Sequence, residues 1–165
     1  METTMILDNR LVGQLTLYDM HTEFFGLVLE GIDDRSAQDR LGTQANHIAW
    51  LAGSLVQERF ELANWLGSKL TQKNHGLFDG HRGIVDGTPY PPLEEFRQDW
   101  NVITPVLREI LANVTSEKLN ESFDMDNIKM TNYEYVSFQT YREANCIGQI
   151  ALWRRLLGFP AMRYM

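Results

Sequence analysis

The side chains with the clearest chemical potential lie near the C-terminus, on a segment that reads as one helix. Arg142, Cys146 and Gln149 recur there at three- and four-residue steps, together with Phe138 and Trp153. This spacing places the five side chains on one side of a helix. A cation beside a thiol lowers the pKa of the thiol and favours the nucleophilic thiolate. Alternatively, Cys146 is an inert, small apolar residue.

A guanidinium on the core side of that helix needs a carboxylate partner, because an unpaired buried charge costs several kcal/mol or more. We expect Glu58, on the second predicted helix, to pair with Arg142. Glu143 lies on a different face of the helix and is a poorer candidate. The alternative is that Arg142 extends to solvent at the end of the helices.

Histidine and serine positions offer a second set of candidates. His47 and Ser54 are seven residues apart, about two helical turns, so we expect both to point to the same side of the second helix. His21, within an apolar stripe of the first helix, is expected to be a hydrogen-bonded interior residue. His75 and His81 lie in a glycine-rich stretch without metal-ligand spacing, and we expect them to be exposed.

Apolar periodicity predicts the elements that must position these residues. Four helices are expected, over residues 9–31, 43–66, 92–113 and 131–157, with Thr131 and Glu134 forming a capping box at the start of the last. Residues 68–92 form a long connector rich in glycine and proline. No segment shows the strict alternation of a strand. The prediction is a single all-α domain over 1–165, a four-helix bundle with a long crossover between helices two and three.

Composition limits the classes of function. The 165 residues carry 15 lysines and arginines, 22 aspartates and glutamates, and one cysteine, for a net charge of −7. The acidic balance argues against binding to nucleic acid. No apolar run is long enough to span a membrane, and no secretory signal is evident, so we expect a soluble, cytoplasmic protein. We expect Arg154 and Arg155 to offer their charges to the end of the last helix and to surface carboxylates.

Two segments carry a resemblance to a known family. Gly148-Gln149-Ile150 is followed by Arg154-Arg155-Leu156-Leu157-Gly158, and the second helix reads Asn46-His47-Ile48-Ala49-Trp50-Leu51-Ala52-Gly53-Ser54-Leu55. In these segments and in its overall layout the chain resembles the DinB/YfiT superfamily of helical-bundle proteins. The resemblance implies a divalent metal, such as nickel or zinc, held by three histidines. It also implies transferase-type chemistry and, in several members, a homodimer.

The three implied ligand positions do not hold histidine in this chain. They correspond to Ser54 on the second helix and to Arg142 and Cys146 on the fourth. A second alignment would place one ligand at His47, but it breaks the match around Trp50. Serine is a poor ligand, and Arg142 brings a permanent positive charge to the place of a metal ion. The resemblance therefore implies a degenerate metal site.

These observations favour a small-molecule- or partner-binding protein without metal or cofactor over an enzyme. The residues expected to line its pocket are Ser54, Glu58, Arg142, Cys146, His47 and Gln149. The alternative is a divalent-metal- or thiol-dependent transferase or hydrolase, with Cys146 as nucleophile or as metal ligand beside His47. A third hypothesis is an interaction protein that forms a homodimer through Trp65 or Trp100.

Overall fold

Four long helices make up most of the part of the chain described by the computed structural model, which covers residues 6–125 and 127–164. Between the last two lie a short helix and a β-hairpin. The elements in chain order are α1 (Leu11–Leu29), α2 (Ile48–Trp65), α3 (Leu93–Asn113), α4 (Ser116–Asn120), β1 (Ser122–Met125), β2 (Ile128–Thr131) and α5 (Asn132–Leu156). The protein is thus mainly helical, as the apolar periodicity predicts.

The long helices enclose one apolar core. Helices α1 and α2 each pack against both α3 and α5, so the four form a closed ring in cross-section. Fully buried apolar side chains fill its centre from all four helices, among them Leu11, Phe25, Leu51, Phe96 and Ile150. The connector, residues 66–92, runs from the end of α2 to the start of α3 and packs Phe78 into the same core.

Local hydrogen bonds determine where helices α2 and α5 begin. The capping box expected at Thr131 and Glu134 is present at the start of α5. Helix α2 begins at Ile48, later than the predicted residue 43, because His47 adopts an extended backbone conformation that a helix excludes. His47 then caps α2, its side chain accepting a hydrogen bond from the backbone N–H of Trp50.

The hairpin was not expected from the sequence. Strands β1 and β2 pair antiparallel, with Phe123 opposite Met130. Alternate residues of β1 are exposed and half-buried, and the ring of Phe123 packs 4.5 Å from that of Trp65. Four-residue strands are too short to give a clear alternating pattern, which explains why the sequence reads here as a break between helices.

No helix in the described ranges is both long enough and apolar enough to cross a bilayer.

Candidate functional site

A cavity of about 290 Å³ lies between α2, α5 and the connector, and we call it the site cavity. Its volume is close to the lower end of the range for small-molecule pockets. Side chains of both helices, the connector and β1 line it: Trp50, Ser54, Gln57, Glu58, Glu61, Phe78, His81, Arg82, Met125, Tyr135, Phe138, Gln139 and Arg142. It combines aromatic walls with charged and amide groups.

The ion pair of Glu58 and Arg142 crosses this cavity from α2 to α5. Nη2 of Arg142 donates to Oε1 of Glu58, the partner expected from the sequence. The two partners differ in setting, because the Arg142 side chain is 35% exposed whereas that of Glu58 is only 11% exposed. Arg142 therefore keeps contact with water while it anchors a buried carboxylate.

Burial raises the pKa of Glu58 to about 7, against the lowering effect of Arg142. Glu143 and Glu61 add to the rise because a second negative charge disfavours ionisation. Glu58 therefore changes its charge near neutral pH. A carboxyl group with such a shift, in a cavity and beside a specific charged partner, marks a candidate functional site.

Several polar atoms of the lining residues lack partners. Nε1 of Trp50 and the side-chain oxygens Oε1 of Gln57, Oε2 of Glu58 and Oε1 of Gln139 are buried, and within residues 6–125 and 127–164 none has a hydrogen-bond partner. Leaving such groups unpaired costs about 1–3 kcal/mol each. The lining therefore has a capacity for further hydrogen bonds.

Glycine allows the connector to close over the cavity. Phe78 lies directly against Gly53 of α2, and a Cβ atom at Gly53 would fall well inside van der Waals contact with the Phe78 ring and against Phe96. The Phe78 side chain is almost fully buried. The close approach at Gly53 thus fixes the position of the connector above Ser54.

Three of the six residues expected in the pocket line the site cavity: Ser54, Glu58 and Arg142. Cys146, His47 and Gln149 do not. His47 is the residue before α2 rather than part of it, so it does not share the face of Ser54. Its ring packs against Tyr90 and lines a different cavity. Gln149 is exposed and donates to Asn145.

Cys146 lies in the core, with only 3% of its surface exposed. Burial raises the pKa of its thiol to about 12, and the nearby charge of Glu58 adds to the rise while Arg142 opposes it. The expected activation of the thiol by Arg142 is thus outweighed, because desolvation penalises the thiolate more than the charge of the partly exposed Arg142 favours it. The setting of Cys146 is that of an apolar residue.

The face of α5 that meets the core agrees with the predicted one only in part. Cys146 and Trp153 are buried and Arg142 is half-buried, whereas Phe138 and Gln149 are exposed. Gln139, Glu143 and Ile150 are also buried. Glu143, taken as a poor partner for Arg142, is instead bound to another arginine. The buried face is rotated by about one residue from the predicted one, because the mixed polarity of this helix provides no clear apolar stripe.

A buried ionic network lies behind the site cavity. Glu143 accepts from Nε of Arg59 at 2.5 Å and from Nη2 at 3.0 Å, and its Oε2 lies 3.1 Å from Nδ1 of His21. Burial opposes ionisation of Glu143, but the charge of Arg59 and the hydrogen bonds from His21 and Arg59 hold its pKa below the usual value. His21 is thus a hydrogen-bonded interior residue, as predicted, while Arg59 was missed.

A small inner cavity of about 10 Å³ separates this network from the site cavity. That is roughly the space one water molecule needs. Glu58 and Gln139 line both cavities, and Gln14 brings a third unpartnered oxygen to the inner one. Glu58 therefore stands between the outer cavity and the charged core.

Arg154 is also placed differently from the expectation. It is 5% exposed rather than at the surface, and its guanidinium donates to the backbone carbonyls of Val28, Glu30 and Pro160. It satisfies carbonyls of another helix end instead of pairing with surface carboxylates, whereas Arg155 is exposed.

Most of the other lining residues were not singled out from the sequence. On α2, Trp50, Gln57 and Glu61 fall three or four residues from Ser54 or from each other, so the helical face of Ser54 could have identified them. Phe78 and His81 come from the connector, whose course no periodic pattern indicates. His75, also in the connector, is exposed as expected and bonds to Asp79.

Comparisons with protein-family models and with curated proteins find no match to this chain.

The residues at the implied metal positions do not fit a metal ion. Ser54 is a weak ligand, Arg142 is a cation already bound to Glu58, and the Cys146 thiol resists ionisation. Among the described residues, no three His, Cys, Asp or Glu side chains are grouped so that they could hold a metal. The side chains at these positions therefore do not suit a metal ion.

Proposed function

We propose that this protein binds a small organic molecule in the site cavity. The observation that carries the proposal is the set of unpartnered buried polar atoms in the cavity lining, led by Trp50 Nε1 and Gln57 Oε1, which belong to no other cavity described above. A ligand with both apolar surface and polar groups would satisfy them. The aromatic walls would bury its apolar part.

The proposal includes a fold and a family. The ring of four long helices and the long connector between the second and third support a four-helix bundle with a long crossover. Together with the residues around Trp50 and Gln149, this layout supports a DinB/YfiT-like bundle whose metal-ligand positions have been replaced. A homodimer is proposed from the resemblance alone, and a cytoplasmic location from the composition.

The alternative of thiol-dependent transfer has weaker support. It needs a reactive Cys146, but this side chain is buried, does not line the site cavity and has a raised thiol pKa. A metal site built from Cys146 and His47 is also unsupported, because His47 caps α2 through its ring nitrogen. Trp100 is buried, so it offers no dimer surface, whereas Trp65 is 45% exposed.

The indole N–H groups provide a direct test of ligand binding. Trp65, Trp100 and Trp153 donate to Asn132, Thr22 and Asn46, whereas the Trp50 indole N–H has no partner among the described residues. Titration with small aromatic molecules that differ in their polar group should shift the Trp50 indole signal in an ¹H–¹⁵N spectrum and leave the other three nearly unchanged.

Assignment and control use three variants. Trp50→Phe identifies the signal, Ser54→Leu fills the cavity, and Asn101→Leu makes a similar change on the exposed surface of α3. The shift should vanish in Ser54→Leu and persist in Asn101→Leu. If no molecule in the panel moves the Trp50 signal selectively, the proposed function is wrong.

A further inference from the structure

The unpartnered atoms of the site cavity are mostly hydrogen-bond acceptors. Three of the four are oxygens, on Gln57, Glu58 and Gln139, and all three residues are buried. The orientation of the Gln57 amide is fixed, since its Nε2 donates to Glu61 at 3.0 Å and to Asp79 at 3.3 Å. The oxygens come from the facing helices α2 and α5. A ligand that satisfies these atoms must therefore provide mainly hydrogen-bond donors.

The charges around Glu58 leave one carboxylate without a cation. Glu143 is bound to Arg59 and Glu58 is bound to Arg142, whereas Glu61 accepts only from the neutral amide of Gln57 within the described ranges. The remaining cationic side chain of the lining, Arg82, is exposed, so solvent screens its charge. The carboxylates of Glu58 and Glu61 in the lining therefore favour a positively charged ligand over a negatively charged one.

The aromatic residues of the lining also suit a positively charged ligand. Trp50, Phe78, Tyr135 and Phe138 line the cavity with aromatic rings. The faces of such rings carry partial negative charge and attract ammonium groups, and their apolar area suits a hydrocarbon body. Amide and carboxylate side chains, a carboxylate without a cation among the described residues, and aromatic rings thus line one cavity.

We infer that the ligand of the site cavity is a protonated organic amine with an apolar body, its ammonium group placed beside the carboxylate of Glu58 and the side-chain amide of Gln57. An ammonium group has three N–H donors and no acceptor, which suits a lining whose unpartnered atoms are mostly acceptors. The inference rests on the proposed function. It assigns Glu58 as the charged recognition group, with Arg142 holding its other oxygen.

Three probes of similar shape separate this inference from the general proposal. Calorimetry and the Trp50 indole signal are followed with 2-phenylethylamine, 2-phenylethanol and phenylacetate at pH 8, where Glu58 is ionised. The amine should bind at least about tenfold more tightly than the other two, as expected for one hydrogen bond to a charged group. Equal or tighter binding of phenylacetate or 2-phenylethanol overturns the amine inference while the ligand cavity stands. Absence of binding by all three overturns both.

A pair of variants locates the recognition group. Glu58→Gln removes the charge but keeps the shape, and Glu23→Gln removes a charge from the exposed surface of α1. Glu58→Gln should weaken the amine about tenfold or more, with little effect on 2-phenylethanol, and Glu23→Gln should leave both unchanged. Circular dichroism checks that the variants fold. Amine affinity that is the same in Glu58→Gln as in the wild type contradicts the inference.

Discussion

Arg59 and Glu143 hold each other in the core through two hydrogen bonds, while the rings of Tyr18 and Trp100 cover the guanidinium at 3.8 and 3.5 Å from their centroids. The remaining guanidinium nitrogen, Nη1, donates to the hydroxyl groups of Thr22 and Thr104. Arg59 is 1% exposed. Charge, aromatic faces and hydroxyl groups together replace the water that this cation would otherwise bind.

Removal of one partner of this ion pair should be strongly destabilising. Arg59→Met or Glu143→Leu each leaves a charge buried without its partner, and we expect a loss of about 3–5 kcal/mol in the free energy of unfolding. The double variant should lose clearly less than the sum of the two, because it leaves neither charge behind. Urea denaturation at pH 7 measures all three. Additive losses would mean that the two residues act independently.

The charge of Glu58 should make stability depend on pH in a defined direction. Its pKa is about 7 in the folded protein against 4.5 for an ordinary glutamate, so the folded state retains the proton longer. Stability from this group is present below pH 4.5 and is lost as the pH rises through 7, by at most about 3 kcal/mol. Glu58→Gln lacks this loss, so its unfolding free energy relative to the wild type should increase between pH 5 and 8.

The difference in unfolding free energy between Glu58→Gln and the wild type isolates Glu58 from the other titrating groups. The groups facing Glu58 are Arg142, Glu143 and Cys146 of α5, Glu61 and Arg59 of α2, and His81 and Arg82 of the connector. They are common to both proteins and largely cancel. Denaturation curves at several pH values give the difference, and a difference independent of pH would contradict a raised pKa for Glu58.

His47 should contribute the opposite pH dependence. Its Nδ1 accepts from the Trp50 backbone N–H, and burial lowers the pKa of the ring to about 4. Stability from the neutral ring is therefore lost as the pH falls from 6.5 through 4. His47→Asn keeps an acceptor at the cap without a titrating group. The wild type should lose more stability than this variant between pH 7 and 4.5; equal losses would show that His47 does not titrate as described.

Cys146 should be unreactive in the folded protein. With a pKa near 12 and 3% exposure, its thiol has almost no thiolate and little access to reagents at pH 7. We expect its reaction with a disulfide reagent to be at least about a hundredfold slower than in urea-unfolded protein, following the thiolate fraction. A rate equal to that of the unfolded control would restore the thiol-dependent alternative.

The close approach of Phe78 to Gly53 should make even one methyl group costly. Gly53→Ala forces the Phe78 ring away from α2, and we expect a loss of about 1–3 kcal/mol together with weaker binding of any ligand of the site cavity. Phe78→Leu provides room for the new Cβ. The cost of Gly53→Ala, measured by thermal unfolding, should therefore be smaller in a Phe78→Leu background; an equal cost would place the strain elsewhere.

Local signals in the sequence predict the helices well and the interior charges poorly. The Thr131–Glu134 box and the apolar spacing identify α5 closely, because both depend on neighbouring residues. The Glu58–Arg142 pair was predictable from the need to neutralise a half-buried cation. The Arg59–Glu143 pair was not, because arginine is seldom fully buried and the sequence does not place Glu143 on the core side of α5. The position of Phe78 depends on the connector, which has no periodicity.

The end of α1 has no basic residue in its last turn. The backbone carbonyls at this end accept hydrogen bonds from arginines of other helices instead. Arg154 donates to the carbonyls of Val28 and Glu30, and Arg97 of α3 donates to that of Leu29. Helix α1 is thus capped by two arginines that follow the carbonyls they bind by 68 and 126 positions along the chain. The C-terminal end of α1 therefore acquires these hydrogen bonds only when α3 and α5 have packed against it.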